Sequence, residues 1–244
     1  MPEPLHYDWE TPAPGVHRCR LPFLDVTVGV VRGSAATLLV DCGTTLVEAA
    51  AIAADVRTLG GGAVTHLVMT HAHFDHVLGS AGFPDAQLIG APAVATALTT
   101  GLDGVRAHAL AYGAEPAELD RAMAAVRRPE RQVTDADLDL GDRVVHVRHP
   151  GVGHTDHDLV VVVPTVAPGA RTVVFCGDLV EESGDPVVTD ESDLVSWPPT
   201  LDRLIELGAD DAVYVPGHGA LVDAGFVRGQ REWLTRRRAS GTTA

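Results

Sequence analysis

Short Val-rich runs, none longer than a strand, alternate along this chain with Ala-rich stretches of helical period, and that alternation limits the folds open to it. Residues 26–31 and 37–41 read as successive strands across a turn at Arg32, Gly33 and Ser34. In 45–59, Leu46, Ala49, Ala50, Ala53, Val56 and Leu59 recur at helical spacing, and Gly60, Gly61 and Gly62 supply a C-terminal stop. Strands are expected at 64–69 and 87–90, after which Pro92 opens a helical stretch at its favoured first-turn position. An Ala-rich helical insert follows over 93–128, broken by Gly101, Gly104 and Gly113. The strand pattern returns at 144–148, 159–163, 172–176 and 212–215, with helices at 197–207 and 222–238; the Arg-rich end of the last suits the helix dipole. Each half runs strands first and helix after, and two such halves make a layered α/β sandwich.

The chain has 244 residues, 45% of them hydrophobic, enough for the core of one large domain spanning 1–244. No apolar run approaches the roughly 18 residues of a membrane-spanning helix, so no membrane partner is expected. All 18 basic residues are Arg, the net charge is -15, and only Arg236 to Arg238 cluster, which disfavours nucleic acid. Acidic residues beside 12 His are compatible with cation binding, although acidity alone is usually a solvated surface. Cys19, Cys42 and Cys176 have no pairing pattern, which suggests a reducing compartment. The start Met-Pro-Glu-Pro-Leu-His-Tyr-Asp-Trp-Glu lacks a basic stretch followed by an apolar one; a cytoplasmic location without a signal peptide is the expectation.

Directly after the strand expected at 64–69 comes Thr70-His71-Ala72-His73-Phe74-Asp75-His76. Three imidazoles and a carboxylate within six residues offer the nitrogen and oxygen donors that zinc and iron accept. In extended geometry His71 and His73 point the same way, because strand side chains alternate with period two. Asp75 and His76 then fall in the following turn and reach elsewhere, so the motif suggests two adjacent metals. A lone His is more often a satisfied core residue, but packing does not explain four ligand-type side chains at one strand end. Three later positions repeat the theme: His154 in Gly-Val-Gly-His-Thr, Asp178 after Val-Val-Phe-Cys-Gly, and His218 in Val-Pro-Gly-His-Gly. Their glycines let the backbone turn sharply and bring each ligand towards a shared centre.

In these residues the chain resembles the metallo-β-lactamase superfamily, in the branch of hydroxyacylglutathione hydrolases (glyoxalase II) and lactonases. Asp41 in Leu-Leu-Val-Asp-Cys-Gly, the 70–76 motif, His154, Asp178 and His218 follow that family's order over nearly the whole chain. The resemblance implies an αβ/βα sandwich of two mixed β-sheets flanked by helices, with metals at one edge. It implies that His71, His73 and His154 hold one metal, that Asp75, His76 and His218 hold the other, and that Asp178 bridges both while Asp41 supports them from behind. Two Zn2+ are the expected cofactors, with Fe or Mn as alternatives. A water between two such ions has its pKa lowered from about 15.7 towards about 7. The expected reaction is attack of that metal-bridging hydroxide on the carbonyl of a small ester, thioester, lactone or amide, with Asp75 orienting the water and moving its proton.

Departures from the family narrow the expectation. Metallo-β-lactamases proper generally carry Cys or Ser where Asp178 stands, so β-lactam hydrolysis does not come first. Only 219–244 follow His218, room for one helix and not for the substrate domain of glyoxalase II; lactonases often have Tyr where this chain has Glu181. His157 is expected to be exposed or to support the site, and Cys176 to be structural, on Asp178's side one pleat back. The insert and residues 181–199, with Trp197, are placed to overhang the metal edge, whereas His6, His17, His66, His108, His146 and His149 show no ligand context. The alternative reading is an iron-dependent redox enzyme such as a persulfide dioxygenase; a β-lactamase or a non-catalytic metal-binding protein stands behind it.

Overall fold

In the computed structural model, residues 4–165 and 169–241 are described; residues 1–3 of the stretch inspected for a signal peptide lie outside them. The first sheet runs in the order β1 (Glu10–Ala13), β2 (Val16–Arg20), β3 (Thr27–Arg32), β4 (Thr37–Val40), β5 (His66–Val68), β6 (Gln87–Gly90), β7 (Arg131–Gln132). It is antiparallel as far as β4 and parallel from there on. The second sheet contains β8 (Asp135–Asp139), β9 (Val144–Arg148), β10 (Val160–Val163), β11 (Val173–Phe175) and β12 (Val213–Val215) in the order β12-β11-β10-β9-β8, with only β11 and β12 parallel. The helices are α1 (Leu46–Thr58), α2 (Phe74–Val77), α3 (Pro92–Thr100), α4 (Leu102–Ala111), α5 (Pro116–Ala125), α6 (Trp197–Gly208) and α7 (Ala224–Ala239). They flank the two mixed sheets, and the αβ/βα sandwich is the fold.

The four valines of β10 explain why a continuous apolar run can be one strand. Val161 and Val163 join the core between the sheets, while Val160 and Val162 pack with Val174, Tyr214, Trp197 and Leu201 beneath the helices. A strand covered on both faces needs apolar residues at every position. Cys176 belongs to this helix-side core with Val174, so it does not share Asp178's side; its thiol donates to Val174 O (3.3 Å) and its role is structural.

Helix α1 starts where its sequence signals. Glu48 N–H donates to Thr45 Oγ1 (3.1 Å) and Thr45 N–H to Glu48 Oε2 (2.9 Å), a reciprocal cap. The strand expected at 64–69 contracts to His66–Val68, so His71 and His73 sit in the loop beyond it, not on extended strand. Strands β1, β2, β7 and β8 have no Val-rich signature; in β8 only Ala136 and Leu138 turn inward between three outward Asp. The insert forms α3, α4 and α5, with Gly101 between the first two and Gly113 beyond α4.

One buried carboxylate fastens the N-terminal segment. Asp55, on α1, accepts from His6 N–H (2.8 Å), Tyr7 N–H (3.0 Å), Trp9 Nε1–H (2.8 Å) and the His6 ring (2.8 Å). Burial pushes its carboxyl up, but these hydrogen bonds outweigh burial and its pKa lies below the ordinary value. A depressed folded pKa means that its contribution is complete above about pH 4 and is lost as pH falls through the folded value. Asp55→Ala should therefore lower unfolding free energy by about 2–3 kcal/mol at neutral pH and flatten the acid limb of a stability–pH profile followed by urea denaturation.

Candidate metal centre

Strands β4, β5, β9, β11 and β12 all shed their following loops at one edge of the sandwich. Asp41 follows β4, the 70–76 motif follows β5, His154 lies in the loop after β9, Asp178 in the single turn after β11, and His218 beyond β12. Two backbone bonds close this edge across the sheets: Thr27 N–H to Gly217 O (2.7 Å) and Leu159 N–H to Thr70 O (2.8 Å). A Cβ at Gly217 would collide with Asp178 Oδ1, so only glycine admits the carboxylate there.

The ligand-type side chains gather as two clusters: His71, His73, His154 and Asp178 in one, Asp75, His76 and His218 in the other, with donor atoms of each cluster within 4.8 Å of one another. Asp178 faces both. Its Oδ2 lies 3.5 Å from His71 Nε2, 3.5 Å from His154 Nε2 and 3.3 Å from His218 Nε2, and its Oδ1 lies 3.2 Å from His76 Nε2. Asp75 Oδ2 lies 3.4 Å from His218 Nε2 and 3.7 Å from His76 Nε2.

Every histidine is held by its outer nitrogen. His76 Nδ1–H donates to Asp41 Oδ2 (2.8 Å), His71 Nδ1–H to Thr70 Oγ1 (3.0 Å), His154 Nδ1–H to Val187 O (3.2 Å) and His218 Nδ1–H to Leu24 O (2.8 Å). His73 is turned the other way, with Nε2 on Glu191 Oε2 (3.2 Å) and Nδ1 facing His154 Nε2 at 3.0 Å. These partners fix the tautomers, so His73 and His154 bring two lone pairs face to face. That contact is repulsive unless a cation lies between the rings. His71 Nε2, His76 Nε2 and Asp178 Oδ1 are buried and have no hydrogen-bond partner despite their proximity. Converging lone pairs and orphaned polar atoms fit two bound cations.

Asp41 backs this set from a left-handed backbone position (φ 58), where its Oδ1 accepts Thr70 N–H (2.8 Å) and its Oδ2 accepts Thr70 Oγ1–H (2.8 Å). Leu24 and Asp25 are also left-handed (φ 60 and 59), aiming the Leu24 carbonyl at His218. His157 Nε2 accepts Ala72 N–H (3.2 Å) between His71 and His73, while its Nδ1 meets Asp156 (2.8 Å). Burial pushes His154 down to about 3 and His71 well below its usual value. For His218 burial also lowers, but Asp178 and Asp75 overcome it and raise the ring to about 10; Asp178, Asp75 and Asp41 likewise raise His76. Asp178 is held well below the carboxylate range against burial by His76, His218 and His71, and burial together with Asp178 lifts Glu181 to about 8.

A pocket of about 210 Å3 opens over the clusters, and Glu181, Ser183, Asp185 and Val187 line it as the expected overhang. Trp197 does not reach it; buried in α6, it packs on His154 (ring centroids 5.6 Å apart) and donates to Leu179 O (3.0 Å). His108 corrects the sequence reading that gave it no ligand-site context: with Tyr112 it forms a pocket wall, 5.0 Å between centroids from His73. Only its place in the insert pointed that way. His6, His17, His66, His146 and His149 do not line that pocket.

The family model of the Metallo-beta-lactamase superfamily matches residues 21–218. The chain belongs to the metallo-beta-lactamase superfamily. The paired clusters are its candidate dinuclear metal centre. Two relatives named metallo-beta-lactamase type 2, from Bacillus sp. (strain 170) and Bacillus cereus, are 24% and 23% identical over 167 residues, which is 67% of this chain. The match spans 55% of their length, about half of the curated relatives. Among solved structures, VMB-1 aligns with TM-score 0.71 at 17% identity over 97% of this chain and 100% of its own. The metallo-beta-lactamase from Pontibacter korlensis aligns with TM-score 0.69 at 20% identity over 94% and 99%. These likenesses show the fold. The relatives named here are metallo-beta-lactamases, not members of the glyoxalase II and lactonase branch that the sequence resemblance implied.

Proposed function

We propose that this protein hydrolyses the carbonyl of a small ester, thioester, lactone or amide at two Zn2+, in the manner of the glyoxalase II and lactonase branch. The observation that carries the reading is Asp178, a carboxylate between two histidine clusters in which His71 Nε2 and His76 Nε2 lack partners. His71, His73 and His154 would hold one ion, Asp75, His76 and His218 the other, and Asp178 would serve both. Such ions supply a Lewis acid for the carbonyl oxygen and bring the pKa of water from about 15.7 towards about 7. Asp75 lines the pocket and is assigned to orient the attacking water and take its proton. Asp41 and Thr70 keep the His71 and His76 rings turned inward, which preserves geometry that a fraction of an ångström would spoil. Leu24 and Val187 carbonyls do the same for His218 and His154.

The reading also takes the protein to be cytoplasmic, which three buried, unpaired cysteines support. Elemental analysis of protein purified without added metal, followed by an ester, thioester, lactone, amide and β-lactam panel on the same sample, tests the reading. Two zinc ions per chain are expected, with turnover lost on chelation and restored by zinc. Iron with oxygen consumption would instead establish the redox alternative.

A further inference from the structure

The pocket above the clusters has a neighbour of about 390 Å3 between the α3–α4 turn and residues 189–191. His73, Phe74 and His108 line both cavities, so they are two lobes of one cleft with the His108 ring at the divide. That ring lies 5.0 Å from Tyr112 and 5.4 Å from Phe74 between centroids, and Leu24, Val105 and Val187 add aliphatic surface. Flat and aliphatic walls of this kind suit a planar apolar group.

The charge of the cleft is one-sided. Its mouth carries Asp185 in one lobe and Asp190 and Glu191 in the other, all exposed, with Glu191 also holding His73 Nε2 (3.2 Å). Among the described residues no Arg lines either lobe, and the chain contains no Lys. A carboxylate remote from the scissile bond, and so from the metals, would meet these groups with no Arg or Lys beside them, whereas an ammonium would be attracted to them and to the Tyr112 ring. We propose that the centre selects uncharged or cationic substrates bearing a flat apolar group and discriminates against substrates with a remote carboxylate. The selection is built from repulsion as well as attraction. It rests on the hydrolytic reading above and names the substrate class of that site.

The test compares three acetate esters on the two-metal protein: 4-(carboxymethyl)phenyl, 4-(carbamoylmethyl)phenyl and 4-(trimethylammoniomethyl)phenyl acetate, each kcat/KM divided by its hydroxide-catalysed rate. The amide and ammonium esters are expected to exceed the carboxylate ester by about tenfold or more at low salt, with the gap narrowing as salt is added. Asp185→Arg with Asp190→Arg should narrow or reverse the order, and Asp211→Arg, on the exposed surface outside both lobes, should leave it unchanged. A carboxylate ester hydrolysed as well as the others, or an order untouched by the double variant with its metals retained, overturns the proposal. Should no ester, thioester, lactone or amide be turned over, the hydrolytic reading fails by itself. Affinities of benzyltrimethylammonium, benzyl alcohol and benzenesulfonate then still decide the charge preference: weakest binding of the sulfonate upholds it, and strongest binding refutes it.

Discussion

Asp178→Ala is expected to abolish turnover and to lower metal content in the same preparation. Losing only a hydrogen-bond partner behind a metal ligand typically costs about 10–100-fold in affinity or activity, and Asp178 is no mere partner, since it faces both clusters. The loss should therefore exceed about 100-fold. Asp178→Asn keeps the shape but removes the charge, separating electrostatics from packing. In metal-free protein the carboxylate also holds the proton on His218, whose pKa is raised to about 10. A raised folded pKa contributes stability that is complete below about pH 6.5 and lost as pH rises towards 10. Both variants should thus flatten the neutral-to-alkaline decline of the metal-free protein. His73→Ala should also reduce metal content and activity together. Full activity with two metals bound in Asp178→Ala would overturn the assignment.

Trp197→Ala should produce the largest loss of stability. The indole is fully buried beneath the second sheet, and truncating a core Trp costs about 3–5 kcal/mol. Its effect should reach the site because Leu179, next to Asp178, has its carbonyl held by Trp197 Nε1–H (3.0 Å) and Gln230 Nε2–H (2.7 Å). Trp197 also packs on His154, so one residue braces two side chains of the first cluster. Urea denaturation and metal stoichiometry measured together check this. Trp197→Phe, which keeps most of the packing but drops the donor, should cost about 1 kcal/mol from the bond and retain more metal than the alanine variant. Unchanged stability of the alanine variant would show that the helix-side core does not depend on this ring.

The candidate ligands were legible as a group because metal-binding chemistry uses few residue types, and turns flanked by glycine put them at strand ends. His71, His73, Asp75, His76, His154, Asp178 and His218 all arrive at one edge, and Asp41 stands behind two of them. Leu24 and Val187 were illegible as supports because any residue supplies a carbonyl, and His108 because a helical insert has no code for its destination. Strands buried on both faces announced themselves as valine runs. By contrast, the Asp-Ala-Asp-Leu-Asp of β8 hides its two inward residues among carboxylates, and the two-residue β7 is too short to show a period.

The carbonyls of Leu24 and Val187 belong to loops far apart in the chain, yet each grips a ring of the centre. Anything that binds those rings and not the unfolded chain draws the two loops into one cooperative unit with the strand ends, and stabilises the fold by about 2.7 kcal/mol at a hundredfold excess over its dissociation constant. Loading two cations should accordingly slow amide hydrogen exchange around residues 23–27 and 181–193 far more than in β9 or β10. The same coupling would make loop order a determinant of how quickly ions bound there exchange.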